Sequence, residues 1–338
     1  MKLNIVRLLL ILFTVTLTLP AKETKAAKIS GLAFGDYYYM FSNHDSEIKA
    51  MNGFWFRRIY FTYDQGLAPN MEMRFRLEMA HPGDFKSRKA AVPFVKDAYL
   101  KYTFKKMQFI LGISQSPTFA VVEKKWGYRA VEKTAADLYK LASSRETGLA
   151  VKGKIGRQNP FFYHIMLGNG NAQKGESNKY KKLMMALGSN LTSHLLIEGY
   201  VDYEQRSAGE RRFSYQGFIA YQQKAITAGL QFMNQVRTRS GLKNRNIAFL
   251  SAFVRAGLAD NLVAFFRVDK LFNKLEAGPE ISYLPVSDQA RATLAIAGID
   301  YALAKNVHLM PNAEVVIYDQ SNVNTDLMGR VTFFYTFK

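Results

Sequence analysis

Arg74 and Arg76 stand two residues apart in Met71–Met79, which reads Met-Glu-Met-Arg-Phe-Arg-Leu-Glu-Met. On an extended chain such residues share one face, about 7 Å apart. Two guanidiniums at that spacing attract anions by charge alone and need no shaped pocket. Glu72 and Glu78 flank them on the same face, so ion pairing that stiffens a wall is the competing role. A second group of cations, Lys124, Lys125, Arg129 and Lys133, falls in the stretch 116–145 together with Glu123, Trp126, Glu132, Asp137 and Lys140. Arg58 shares its face with Tyr60 and Thr62, and Lys101 shares its face with Asp97, Tyr99 and Thr103. Arg58, Arg74, Arg76, Lys101, Lys124, Lys125, Arg129 and Lys133 are thus the candidate anion path. Strict alternation sends Arg57 to the opposite side from Arg58, near an interface where its head reaches water.

Catalytic chemistry finds little support. His44, His81, His164, His194 and His308 lack metal-ligand spacing, and no Ser/His/Asn set is singled out. Gly170–Ser177 comes close to a phosphate-binding loop, but Glu176 stands where a lysine must be and a strand follows in place of a helix. Asn190-Leu191-Thr192 fits a glycosylation sequon in a tight turn. No cofactor is expected. The absence of cysteine excludes disulfides, thiolate metal sites and a cysteine-borne lipid anchor.

The elements that carry these cations alternate with a period of two. In 71–79 every second residue is apolar and every residue between is charged, the pattern of a strand between lipid and a watery lumen. In 193–205, Glu198, Tyr200, Asp202 and Glu204 oppose Leu195, Ile197, Val201 and Tyr203. In 327–338, Arg330, Thr332 and Thr336 oppose Leu327, Val331, Phe333, Tyr335 and Phe337. The polar sets belong on the lumen side, because Arg or Lys facing lipid at mid-bilayer costs ~2–4 kcal/mol. Segments 211–222 and 245–257 do not separate into two faces.

Sixteen strands are expected, at 28–41, 52–65, 69–80, 94–104, 106–115, 146–155, 160–169, 178–190, 193–205, 211–222, 224–236, 245–257, 260–270, 291–302, 305–319 and 327–338. Long connections (42–51, 81–93, 116–145, 170–177, 206–210, 237–244, 271–290, 320–326) alternate with short ones. That places both ends of the strand run at the short-turn rim, the periplasmic side of an outer-membrane barrel. Glu280–Leu284 is left in a loop to keep this parity, and fourteen or eighteen strands are the alternatives. The connection 116–145 is expected to fold into the lumen as a constriction, with helix-compatible composition over Val131–Leu141.

Composition agrees. Lys2 and Arg7, the apolar run Leu8–Leu19 and the small residues Ala21, Ala26 and Ala27 read as a cleaved signal peptide over 1–27. The rest, 28–338, reads as one barrel. The net charge of +19 falls to +16 without Lys2, Arg7, Lys22, Lys25 and Glu23. No block of five or six basic residues points to nucleic acid. The 25 Phe and 19 Tyr cluster near strand ends, as aromatic girdles at the membrane interfaces would require.

Gly53-Phe54-Trp55-Phe56-Arg57-Arg58-Ile59-Tyr60-Phe61 resembles the phosphate-selective porin family, the O/P porins. So do Val95-Lys96-Asp97-Ala98-Tyr99-Leu100-Lys101-Tyr102 with Gly112, Arg145-Glu146-Thr147-Gly148-Leu149 and Gly298-Ile299-Asp300-Tyr301. The resemblance implies a sixteen-stranded trimeric porin, with phosphate or polyphosphate as the solute of some relatives. The expectation is an outer-membrane barrel in contact with lipid that passes small hydrophilic solutes and prefers anions. A non-conducting scaffold or adhesin, and a lipid-acting enzyme, are the alternatives.

Overall fold

Period-two alternation with an apolar outer face can bury every backbone hydrogen bond only if the sheet closes on itself. The computed structural model, which describes residues 26–156, 161–276 and 281–338, shows that closure. The strands are β1 Lys28–Ser42, β2 Asn52–Ala68, β3 Met71–Ala80, β4 Val92–Phe104, β5 Met107–Gln115, β6 Arg145–Ile155, β7 Phe161–Gly168 and β8 Lys182–Asn190. They continue with β9 Leu195–Gln205, β10 Glu210–Gln223, β11 Ile226–Arg239, β12 Arg245–Ala259, β13 Leu262–Leu271, β14 Ala292–Ala304, β15 Val307–Tyr318 and β16 Asp326–Phe337. Each pairs antiparallel with its sequence neighbour, and β1 pairs with β16, Gly31 opposite Phe337. The expected strand count and parity hold. The main boundary error is β8, which starts at Lys182 because residues 169–181 form a loop. The expected signal peptide lies, apart from residues 26 and 27, outside the described residues.

The faces assigned from alternation hold in β4, β9 and β16. Glu198, Tyr200, Asp202 and Glu204 are buried, whereas Ile197, Val201 and Tyr203 are exposed on the outer wall. Aromatics ring the outside near the short turns (Phe104, Phe161, Tyr221, Tyr301, Tyr335) and near the long loops (Tyr39, Phe41, Phe54, Phe213). The two unassigned segments have apolar residues on both faces. In β10, Phe218 and Ala220 point inward with Ser214 and Gln216, and in β12 Ile247, Phe249 and Phe253 point inward with Ser251. These inward apolar residues pack against a loop inside the barrel.

Two bulges break the alternation where it matters. Between β1 and β2, Phe34 faces Arg58 and Gly35 faces Phe56, so Arg57 is an extra residue. Between β3 and β4, Arg76 faces Asp97 and Leu77 faces Val95, so Lys96 is extra. A bulge re-aims side chains. Arg57, expected at an interface, is buried inside the barrel, and Lys96 is buried beside Asp97. Gly35 permits the first bulge: a Cβ there would lie 2.0 Å from the Trp55 carbonyl oxygen.

Candidate functional site

The connection 116–144 turns inward and crosses the lumen. It carries a helix at Ala120–Trp126 and a short one at Ala135–Leu138, so only part of Val131–Leu141 is helical. The first helix ends at Gly127, whose φ of 75° suits a residue without a Cβ. Its buried Trp126 stacks edge-on to Phe253 (5.4 Å) and Phe265, Tyr128 stacks on Phe265 at 4.3 Å, and Tyr139 lies over Phe249. This explains the apolar inner faces of β12 and β13. The loop therefore docks on the far wall, away from β5 and β6 from which it springs.

Polar clamps fix it there. Arg57 donates to the carbonyls of Ala130 and Val131, and its Nε lies 2.8 Å from Asp36. Arg330 reaches Val131 O, Glu132 (3.3 Å) and Glu314 (2.8 Å). Arg267, paired with Asp269, donates to the Lys133 carbonyl and stands 5.4 Å over the Trp126 ring. Gln235 and Gln216 donate to Leu141 O and Thr118 O. Breaking a buried ion pair from one side costs about 3–5 kcal/mol, so these contacts hold a loop that would otherwise be long and free.

In a second connection the described segment 281–291 also folds inward. Ile281, Tyr283 and Leu284 are buried, and Tyr283 N donates to Gly83 O at 2.8 Å. Arg330 and Tyr283 Oη add bonds to Tyr283 O and His81 O. Ile281–Leu284 form no strand, consistent with their placement in a loop.

Between the first loop and a wall formed by β1–β4, β6, β12 and β14–β16 a cavity of about 510 Å³ remains open. Arg76, Lys96, Lys124, Arg129, Arg145 and Arg255 line it, against the carboxylates of Glu123 and Asp300. On the wall, Glu78 pairs with both Arg58 (2.7 Å) and Lys96 (2.9 Å), and Asp97 pairs with both Arg76 (3.0 Å) and Arg145. Four cations thus share two carboxylates, an arrangement that leaves net positive charge facing the cavity.

On the loop, Arg129 bridges Glu123 (3.4 Å) and Asp137 (3.0 Å). Burial works against its charge, but those two carboxylates outweigh it and raise its pKa. Burial also opposes ionisation of Asp137, and Arg129 and Lys133 more than offset it, lowering its pKa. Among the described residues Lys133 has no ion-pair partner, and burial, only partly offset by Asp137, pushes its ammonium down to about 8. Lys124 is exposed, and Lys125 bonds Gln222 Oε1 at 2.8 Å. Partial burial, then Lys124 and Arg255, push the Lys125 pKa down.

Of the residues expected to form the path, Arg76, Lys124 and Arg129 line this cavity, and Arg58 belongs to the wall cluster beside it. Lys133 is largely buried in the loop, while Lys125 points toward β10. Arg74 and Lys101 lie further toward the short turns and are paired with Asp64 (2.7 Å) and Glu72 (2.6 Å). Sequence reasoning missed Lys96, hidden by the bulge, and Arg255, hidden by the mixed pattern of β12. It also missed Arg145, which begins β6 within the segment used for the resemblance.

No protein-family model and no curated protein matches the sequence. Solved structures do match the fold. The anion-selective porin from Comamonas acidovorans superposes with a TM-score of 0.67 at 11% identity, over 93% of this chain and 100% of that one. OmpF of Salmonella typhi in complex with daunomycin gives 0.67 at 12%, over 92% and 97%. The outer membrane channel DcaP of Acinetobacter baumannii gives 0.66 at 11%, over 94% and 99%. The fold shared with these porins is the closed sixteen-stranded antiparallel barrel. The likeness is one of fold, and it does not single out the phosphate-selective family.

Proposed function

We propose that this protein is an outer-membrane channel through which small hydrophilic solutes diffuse, with a preference for anions. The observation that carries the reading is the charge on the 510 Å³ cavity: six basic side chains against two carboxylates. Rings of basic side chains set selectivity by electrostatics, and the inward loop sets a size limit. No covalent step and no cofactor enter. The segment 1–27 is the export signal, the 116–144 loop is the constriction, and the assembled form is a homotrimer embedded in outer-membrane lipid. Phosphate is the finer assignment, supported by the resemblance of 53–61 and 95–102.

The test is a planar bilayer under a KCl gradient, with and without phosphate. Stepwise conductance with an anionic reversal potential is expected, and phosphate should reduce the chloride current. A cationic reversal potential overturns the anion preference, and a silent, folded barrel overturns the channel.

A further inference from the structure

Glu198 stands apart from the other carboxylates of the lumen. It is 5% exposed, and its Oε1 is buried without a partner. The other lumen-facing strand carboxylates described, from Asp36 and Asp64 through Asp97, Glu146, Asp202 and Glu204 to Asp269, Asp300 and Glu314, each have an ion pair or a hydrogen bond. His164 Nε2, opposite Lys152 in the register, is also buried and unpartnered. Glu198 and His164 line a second cavity of about 390 Å³, nearer the short turns and bounded on one side by Pro117, Ala120 and Val121 of the inward loop, whose remaining charges are Lys106, Lys152 and Lys154.

The register orders these groups. Lys154, Phe162, Gly188 and Glu198 occupy one row across β6–β9, and Lys152 and His164 begin the next. The Phe162 ring covers Gly188, where a Cβ would lie 2.2 Å from Phe162 Cζ, so an aromatic floor separates the ammonium end from the carboxylate end. The ends are three strand spacings apart, roughly 14 Å of backbone. A dipeptide spans at most about 7 Å, so the inward reach of the Lys and Glu side chains has to cover the rest.

A buried acceptor and a buried imidazole nitrogen without partners are costly unless something meets them. We propose that this pocket binds a small zwitterion of dipeptide size, its ammonium on Glu198 and its carboxylate on Lys152, Lys154 and His164, which stands opposite Lys152 in the register. Pro117, Ala120 and Val121 of the inward loop close one side of the pocket, and Ala120 lines both cavities, but the charged residues of the pocket are not those of the anion path.

Diglycine binding to the detergent-solubilised full chain, followed by ligand-observed NMR, reads the site whether or not the barrel conducts. Wild type should bind diglycine. Glu198→Gln, which keeps the shape, should weaken binding at least tenfold, and N-acetyl-diglycine, lacking the ammonium, should bind no better to wild type than diglycine does to that variant. Lys152→Gln tests the carboxylate end and should weaken diglycine but not glycinamide. Equal binding by wild type and Glu198→Gln overturns the proposal. So does absence of binding to wild type, the result for a pocket that holds only water. If the protein fails to conduct but binds diglycine in this pattern, the channel reading falls and the pocket stands.

Discussion

Arg57 and Asp36 form an ion pair of 2.8 Å inside the barrel, with side chains 4% and 0% exposed. The pair exists because a bulge in β2 turns Arg57 inward, and the same guanidinium holds the loop carbonyls of Ala130 and Val131. Trp55 Nε1 (3.0 Å) and Thr332 Oγ1 (2.6 Å) also donate to Asp36. One wall residue thereby ties the position of the inward loop to the closure of β1 on its two neighbours.

Removing the clamp should loosen the loop before it unfolds the wall. Arg57→Ala leaves Asp36 buried without its cation, at a cost of about 3–5 kcal/mol. The expected outcome is a lower unfolding temperature together with larger, noisier single-channel currents. A variant with wild-type conductance and stability would show that the loop is held without Arg57.

The wall cations should set selectivity additively. A unit charge about 8 Å from a permeating ion in water contributes about 0.5 kcal/mol, roughly a twofold bias. Because anion and cation shift in opposite directions, Arg76→Ser and Arg145→Ser should each lower the anion-to-cation permeability ratio about fivefold by that estimate, and together about twenty-five-fold, before screening. Both effects should shrink at 1 M salt, where the screening length is about 3 Å. Reversal potentials at two salt concentrations check this, and an unchanged ratio in the double variant would remove the cluster from the path.

Selectivity should also respond to pH through the loop. Burial pushes Lys133 down to about 8, with Arg58 and Arg129 lowering it further and Asp137 and Glu132 opposing. Anion preference should therefore decline between pH 7 and 9, and Lys133→Gln should remove that step. The stability sign is opposite to that of a stabilising ion pair. The unfolded lysine holds its proton to about pH 10.4, so between about 8 and 10.4 the unfolded chain binds more protons than the native one. Stability gains its contribution as pH rises through that window. Denaturation midpoints at pH 7 and 9.5, compared for wild type and Lys133→Gln, measure the difference.

Trp126 packs the helix Ala120–Trp126 onto β12 and β13 and is 1% exposed. Trp126→Ala should cost about 3–5 kcal/mol, as large-to-small core substitutions of aromatics do. It should widen the channel, read as higher conductance and faster uptake of larger neutral sugars. Conductance equal to wild type would mean that the helix stays seated without its anchor.

The barrel was legible in the residues themselves. Alternation in Met71–Met79 and Leu195–Gln205 records one apolar face outward and one polar face inward, and the lengths of the connections record the parity. Period two is a local property, written wherever a strand meets two different solvents. Where the inner solvent is replaced by protein, as beneath Trp126 and Tyr139, Phe249 and Phe253 face inward and the pattern disappears. A single extra residue inverts a face, which is why Arg57 and Lys96 were misread or passed over. The pairing of Arg330 with Glu132, 198 positions apart, and of Arg267 with the Lys133 carbonyl depends on barrel closure and loop docking. Short-range spacing carries no record of such contacts. The sequence by itself determined the sheet, its faces and its cationic character; only the tertiary structure decided which cations share a carboxylate, which hold the loop and which meet the open lumen.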